Sequence, residues 1–338
     1  MHIKLIVNPQ AGRKGGLTTN GATLDDVRAA LAAYGISPDI EETREPGHAT
    51  ELARAAALAG YDGVIAAGGD GTAREAAIGL LGSGVPLGVM PLGSFMNVAR
   101  MLGIPRDLQG AAAVIAGGAV VTLDVGRAGQ TYFLEAAGAG VDAALFHYTN
   151  QLDQGRWAAL AHAARVAVGY RPRRVVVQLD WWTVEMDALM VTVANGPYCG
   201  ASFSVAPGAV ADDHQFDVRV YGPMSKWSLL RRLLHAHPTD STDPTSLATT
   251  APPLDPPSPV GDTHTSAGRV YSFKARDVRI SAPHPLPGHA DSLPIGVTPL
   301  RFSLMPGALS VFVPAESRAR HAALSHPPAH QYVEASVS

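Results

Sequence analysis

The residues best placed to do chemistry fall in three short Gly- or Asn-containing segments, each following an apolar run. The central one is GGDGT, Gly68 to Thr72. Glycines there allow the backbone to come close to a phosphate, the helix that follows offers unpaired N–H groups, and Thr72 adds a hydroxyl. The plainer alternative is a Gly-rich β-to-α turn with Asp70 as its cap. The second segment is NPQAGRKGG, Asn8 to Gly16, in which Arg13 and Lys14 either reach phosphates or are ordinary surface charge. The third is PLGSFMNVAR, Pro91 to Arg100. Three strand-end loops of this kind predict a phosphate-handling rim on the carboxyl edge of a parallel sheet. No GxxxxGK[ST] occurs, so a Walker-type site is excluded.

Other constellations carry less. GAGVDA, Gly138 to Ala143, formally fits GxGxxA but lies in a β-rich stretch without a βαβ unit. The 13 histidines show no HExxH or regular ligand spacing. Cys199 is the only cysteine, which rules out an intramolecular disulfide or a Cys-based zinc site and suggests a reducing compartment.

These loops need a scaffold, and 338 residues suggest two domains. Residues 1–123 alternate strand and helix. Met1 to Val7 reads as a buried first strand, Thr23 with Asp26 as a capping box, and Val27, Leu31 and Tyr34 as one helix face ended by Gly35. Further strands are expected at Asp62 to Ala67 and Val85 to Met90. Beyond Asp124 short β-rich runs take over, at Thr131 to Ala137, Arg174 to Leu179, Ala188 to Ala194, Phe203 to Ala206 and Phe216 to Tyr221. The reading is α/β overall: a doubly wound N-terminal domain (1–123) followed by a C-terminal β-sandwich domain (124–314). Helices interrupt the sandwich near Arg156 to Val168 and Lys226 to His235. Residues 238–268, rich in Pro, Ser, Thr and Asp, read as a flexible insert, and 315–338 as a disordered tail.

A net charge of -3 gives no field to recruit a polyanion, which argues against nucleic acid. The N-terminal apolar run is too short for a signal peptide and no run of about 18 apolar residues occurs. A cytoplasmic protein is expected, with membrane contact no more than peripheral. SKWSLLRRLLHA, Ser225 to Ala236, is amphipathic and faces either the sandwich core or a membrane surface.

Taken in order, NPxxG, GGDGT and PLG[ST] with its Asn-containing helix and AR resemble the lipid kinases related to diacylglycerol and sphingosine kinases, with NAD kinases as distant relatives. GAGVDAALF, VANGPYCGASFSVAPGAVADD and TPLRFSLMPGALSVFVP resemble the sandwich domain of that family, so the likeness runs from about Ile3 to Pro314. It implies ATP and Mg²⁺ as cofactors, an NAD kinase-like first domain, and a lipid alcohol such as a diacylglycerol or sphingoid base as acceptor. It allows a homodimer. The nucleotide site it implies comprises Asn8, Pro9, Gln10, Ala11, Gly12, Thr43, Gly68, Gly69, Asp70, Gly71, Thr72, Ala73, Arg74 and Ser94. A structural magnesium site would map to Val210, Asp213 and Gln215, with His214 in place of a family Gly.

Met96 and Asn97 stand where relatives commonly have Asn and Asp. The larger departure is the family's DGE, whose Glu resembles a general base; Asp291, Ser292 and Leu293 fall on it, and leucine accepts no proton. Asp291, Asp70 and Asp124 are therefore the catalytic candidates, with Asp291 as the substitute base or else a turn cap. A regulatory homologue with weakened catalysis, and a kinase for a soluble substrate such as NAD, are the two rival readings.

Overall fold

The computed structural model describes residues 1–14, 17–146, 158–200, 203–225, 227–229, 231 and 270–317. The expected insert, 238–268, lies outside the described residues, as do 318–338 of the expected tail.

The first half is built from strand–helix units. β1 (Ile3–Val7) leads to a short hairpin of β2 (Arg13–Lys14) and β3 (Leu17–Thr18), then α1 (Leu24–Ala32), β4 (Asp39–Glu42), α2 (His48–Leu58), β5 (Gly63–Gly68), α3 (Asp70–Leu80), β6 (Leu87–Pro91), α4 (Asn97–Met101) and α5 (Leu108–Gly117). β4, β1, β5 and β6 lie side by side and parallel, with β1 and β5 in the middle. β5 and β6 are buried along their whole length, as a sheet covered on both faces requires. α1 opens with the expected capping box: Asp26 N–H donates to Thr23 Oγ1, and the Asp26 carboxylate accepts from the Thr23 N–H. Val27 and Leu31 are buried, whereas Tyr34 lies past the helix end and is exposed.

The second half runs β7 (Val120–Ala128), β8 (Thr131–Phe133), β9 (Ala136–Gly140), α6 (Ala158–Gly169), β10 (Arg173–Leu179), β11 (Trp182–Ala188), β12 (Met190–Ala194), β13 (Tyr198–Cys199), β14 (Phe203–Ser204), β15 (Phe216–Tyr221), β16 (Val270–Ala275), β17 (Asp277–Ser281), β18 (Pro287–Ala290), β19 (Leu293–Val297) and β20 (Leu300–Phe312). β16, β15, β12, β9, β18 and β19 form a six-stranded sheet. It packs on β7, β8, β10, β17 and β20 through a core that includes Phe133, Phe216 and Phe302. Alternation of apolar and polar residues in strands such as β10 sends one face into that core.

Two features were not legible in the sequence. The run Thr131 to Ala137 is not one strand: β8 pairs with β7 in one sheet and β9 with β12 and β18 in the other, so the chain changes sheets at Leu134 and Glu135. The N–H groups of Leu134, Glu135 and Ala136 are taken by the Asp291 carboxylate at 2.8, 2.9 and 3.2 Å. Second, β20 joins both halves into a ten-stranded sheet, pairing with β17 and β7 and, at Val311, with β6. Its last residues therefore belong to the first core, where Val311 is fully buried, as is Val313 just past the strand.

Candidate active site

The carboxyl ends of β1, β4, β5 and β6 converge on a cavity of about 550 Å³. Of the residues expected to hold a nucleotide, Asn8, Gln10, Ala11, Gly12, Thr43, Gly69, Asp70, Gly71, Thr72 and Ser94 line it. Four do not. Pro9 is exposed beside the cavity, Gly68 is buried beneath the loop, Ala73 faces the core, and Arg74 lies near enough to Asp291 to act on its carboxyl. Gly93 and Phe95, both within the third expected segment, also line the cavity, and Arg44, Glu45, Pro46 and Glu75 line it without having been foreseen. The side chains of Arg13 and Lys14 lie outside the described set.

Local packing explains the glycines. A Cβ on Gly68 would lie 2.4 Å from Thr72 Oγ1, and one on Gly93 would lie 2.6 Å from Gly69 Cα, so the loops after β5 and β6 touch backbone to backbone. Asn8 Nδ2 donates to Thr72 Oγ1 at 3.1 Å and Asn8 Oδ1 accepts from the Gln10 N–H at 2.9 Å, which ties the first loop to the second. α3 begins at Asp70 behind Gly69, and no side chain caps its first N–H groups. An uncapped N-terminus of an 11-residue helix at the floor of a cavity suits phosphate oxygens.

Asp70 is the first residue of α3, and its Oδ1 accepts the Val98 N–H of α4 at 3.0 Å. Burial raises its carboxyl above the usual range, against the lowering effect of the backbone N–H groups of α4. The adjacent residue, Asn97, donates from Nδ2 to Glu135 Oε2 at 2.8 Å and to the Gly200 carbonyl at 2.9 Å. Glu135, absent from the expected set, is buried at the sheet crossing. Desolvation, then the neighbouring Asp291 and Asp70, hold its carboxyl well above the ordinary range. Its position inside an apolar run, FLEAAGAG, was the signal that could have found it: a carboxylate in a buried strand needs a reason.

Asp291 is partly buried, and desolvation pushes its carboxyl up to about 6 even though three backbone N–H groups act to lower it. Both of its oxygens are occupied by those N–H groups. The geometry is that of a clasp between the β18–β19 turn and the sheet crossing. Asp124 is a second clasp: its oxygens accept the His214 N–H at 2.7 Å, His214 Nδ1 at 2.8 Å and the Gly307 N–H at 2.8 Å. It joins β7 to the 211–214 loop and to the irregularity in β20 between Met305 and Leu309, and it does not line the cavity.

The residues expected to hold a structural magnesium do not fit one. Asp213 Oδ2 accepts from Lys274 Nζ at 2.6 Å, and the same ammonium donates to Asp217 at 2.7 Å. An internal cation from β16 thus sits on the one carboxylate that a magnesium there would need. Asp213 and His214 instead fix this loop through Lys274 and Asp124.

Residues 2–128 match the family model "Diacylglycerol kinase catalytic domain", and residues 135–239 match "YegS C-terminal NAD kinase beta sandwich-like domain". The chain is 30% identical over 223 residues to the diacylglycerol kinase of Bacillus subtilis, spanning 64% of this chain and 72% of the relative. It is 28% identical over 330 residues to a probable lipid kinase YegS-like protein of Pseudomonas putida, covering 94% and 99% of the two chains. The crystal structure of a diacylglycerol kinase from Bacillus anthracis superposes with a TM-score of 0.66 at 22% identity over 94% of this chain and 98% of the other, a likeness of fold. Loops, cavity and sequence relatives agree, and the chain belongs to the diacylglycerol kinase family of lipid kinases.

Proposed function

We propose that this chain transfers the γ-phosphoryl group of ATP to the hydroxyl of a lipid alcohol of the diacylglycerol or sphingoid type. The observation that carries the reading is the cavity at the carboxyl edge, where Asn8, the Gly69–Thr72 turn and Ser94 from three separate loops meet at the start of α3. Phosphoryl transfer depends chiefly on positioning and charge neutralisation, which this loop cradle is suited to supply. Magnesium, arriving with the nucleotide, would neutralise phosphate charge and align the β- and γ-groups. The chain's own contributions are then separable. The N–H groups of α3 hold phosphate oxygens, Thr72 and Ser94 add hydroxyls, and Asp70 orients the group under transfer.

We assign the acceptor to the sandwich side of the cavity, beside the buried cluster of Ala136, Ala194, Cys199, Val205 and Ala206 on which the partly buried Phe146 packs. No described helix is long and apolar enough to cross a membrane, so a lipid would be met at a surface. Trp227 is 81% exposed while Leu229 packs inward, which supports the peripheral-contact reading for that segment. The test is incubation with γ-labelled ATP, magnesium and a panel of lipid alcohols plus NAD: lipid-extractable label supports the reading, and label in a dinucleotide supports the soluble-substrate rival.

A further inference from the structure

Glu135 has no part in the roles assigned so far, yet it occupies the junction between nucleotide loops and sandwich. Three carboxylates face this junction, those of Asp70, Glu135 and Asp291. Two are committed elsewhere: Asp291 closes on three backbone N–H groups, and Asp70 is held by Val98 and lines the nucleotide cavity. Successive residues of α4 hold Asp70 and Glu135, Val98 gripping the first and Asn97 the second, so the element that fixes a carboxylate of the cavity also fixes Glu135.

No Lys, Arg or His pairs with Glu135 among the described residues, although it is only 6% exposed. Packing does not require an acid there, since a glutamine or an aliphatic side chain would fill the same space without the cost of an unpaired buried charge. Buried ionisable groups with perturbed affinity for protons concentrate where chemistry needs them. Leu293, at the position where the resemblance places a base, opens β19 and is 38% exposed.

We propose that Glu135 is the carboxylate that takes the proton from the acceptor hydroxyl, a role that rests on the lipid-kinase reading above. As the acceptor oxygen forms its bond to the γ-phosphorus, the bond from that phosphorus to the bridging oxygen of ADP breaks and its electron pair stays on ADP. The hydroxyl proton passes to a Glu135 oxygen and leaves later to solvent. Asn97 Nδ2 aims the carboxylate, and Asp291 fixes the backbone that carries it through the Glu135 N–H. The groups facing Glu135 are Asp70 of α3, Asn97 of α4, Cys199 and Gly200 beside β13, and Asp291 beyond β18, with Arg74 of α3 acting on Asp291. A base held above the usual carboxylate range accepts a proton more strongly near neutral pH, and the active form is the ionised one.

The experiment compares wild type, Glu135→Gln and Glu135→Asp in the full chain, using Mg-ATP and the panel lipid that the wild type phosphorylates fastest. Turnover of Glu135→Gln should fall by about 10² to 10⁴. Its affinity for a fluorescent ATP analogue should hold, its Tm at pH 8 should equal or exceed that of wild type, and Glu135→Asp should recover part of the rate. The acidic limb of the wild-type kcat profile should vanish from the residual Gln activity. Wild-type-like turnover in Glu135→Gln overturns the proposal while leaving the kinase reading standing. Equal loss in both variants with a lower Tm overturns it too, because that marks a structural role. A wild type that labels no lipid removes the reading beneath it.

Discussion

Asp291→Asn puts the clasp at the sheet crossing to a quantitative test. In the folded chain the carboxylate takes N–H groups from Leu134 on one oxygen and from Glu135 and Ala136 on the other. An asparagine carbonyl keeps at most one of those sides, and its amide then faces a backbone N–H, leaving a buried donor unsatisfied at a cost of about 1–3 kcal/mol. Against this, removing the acid removes a buried charge. A rise from 3.8 to about 6 means that ionised Asp291 costs the folded state about 3 kcal/mol at neutral pH. The sign follows from proton binding. Between the two values the folded chain holds more protons than the unfolded one, so wild-type stability falls as pH rises from about 4 to about 6 and stays reduced above. The variant lacks this loss. Urea unfolding of both proteins across pH 4.5 to 8 should therefore show wild type losing stability as pH rises while Asp291→Asn does not, so that the difference between them moves in the variant's favour by about 2 kcal/mol over that range. Parallel curves would refute the reasoning, since the buried charge would then not be part of the balance.

Lys274→Met should lower Tm and loosen the 213–217 loop, and magnesium should raise the Tm of that variant while leaving wild type unmoved, because the ammonium serves where a divalent ion otherwise would. Differential scanning fluorimetry with and without MgCl₂ reads both outcomes, and a wild type stabilised by magnesium alone would contradict the internal-cation account. Gly93→Ala should weaken ATP binding and destabilise the chain by about 1–3 kcal/mol, since its Cβ would press on Gly69 Cα and on Met96 Sδ. Isothermal titration with a non-hydrolysable ATP analogue checks it, and unchanged affinity would show that the two loops need not touch.

Much of the first half was readable because its signals are local. The capping box at Thr23, the apolar runs of β5 and β6 and the loop GGDGT each declare their structure within a few residues. What could not be read was set by partners far along the chain. The break in Thr131 to Ala137 arises from Asp291, about 156 positions away, and β20 reaches β6 and β7 across most of the molecule. The same distance effect explains Glu135 and Lys274. Neither carries a motif, and beyond the apolar run around Glu135 each acquires its meaning from amides or carboxylates that distant parts of the chain bring in.

The most direct test of lipid phosphorylation is one measurement: purified chain, γ-labelled ATP and magnesium, with diacylglycerol, sphingoid bases and NAD offered separately, and Asp70→Ala as the paired control. Lipid-extractable phosphate from wild type, lost in an Asp70→Ala variant that keeps its Tm within a few degrees, is the predicted result. Label confined to the NAD product, or lipid labelling undiminished in Asp70→Ala, would contradict the account.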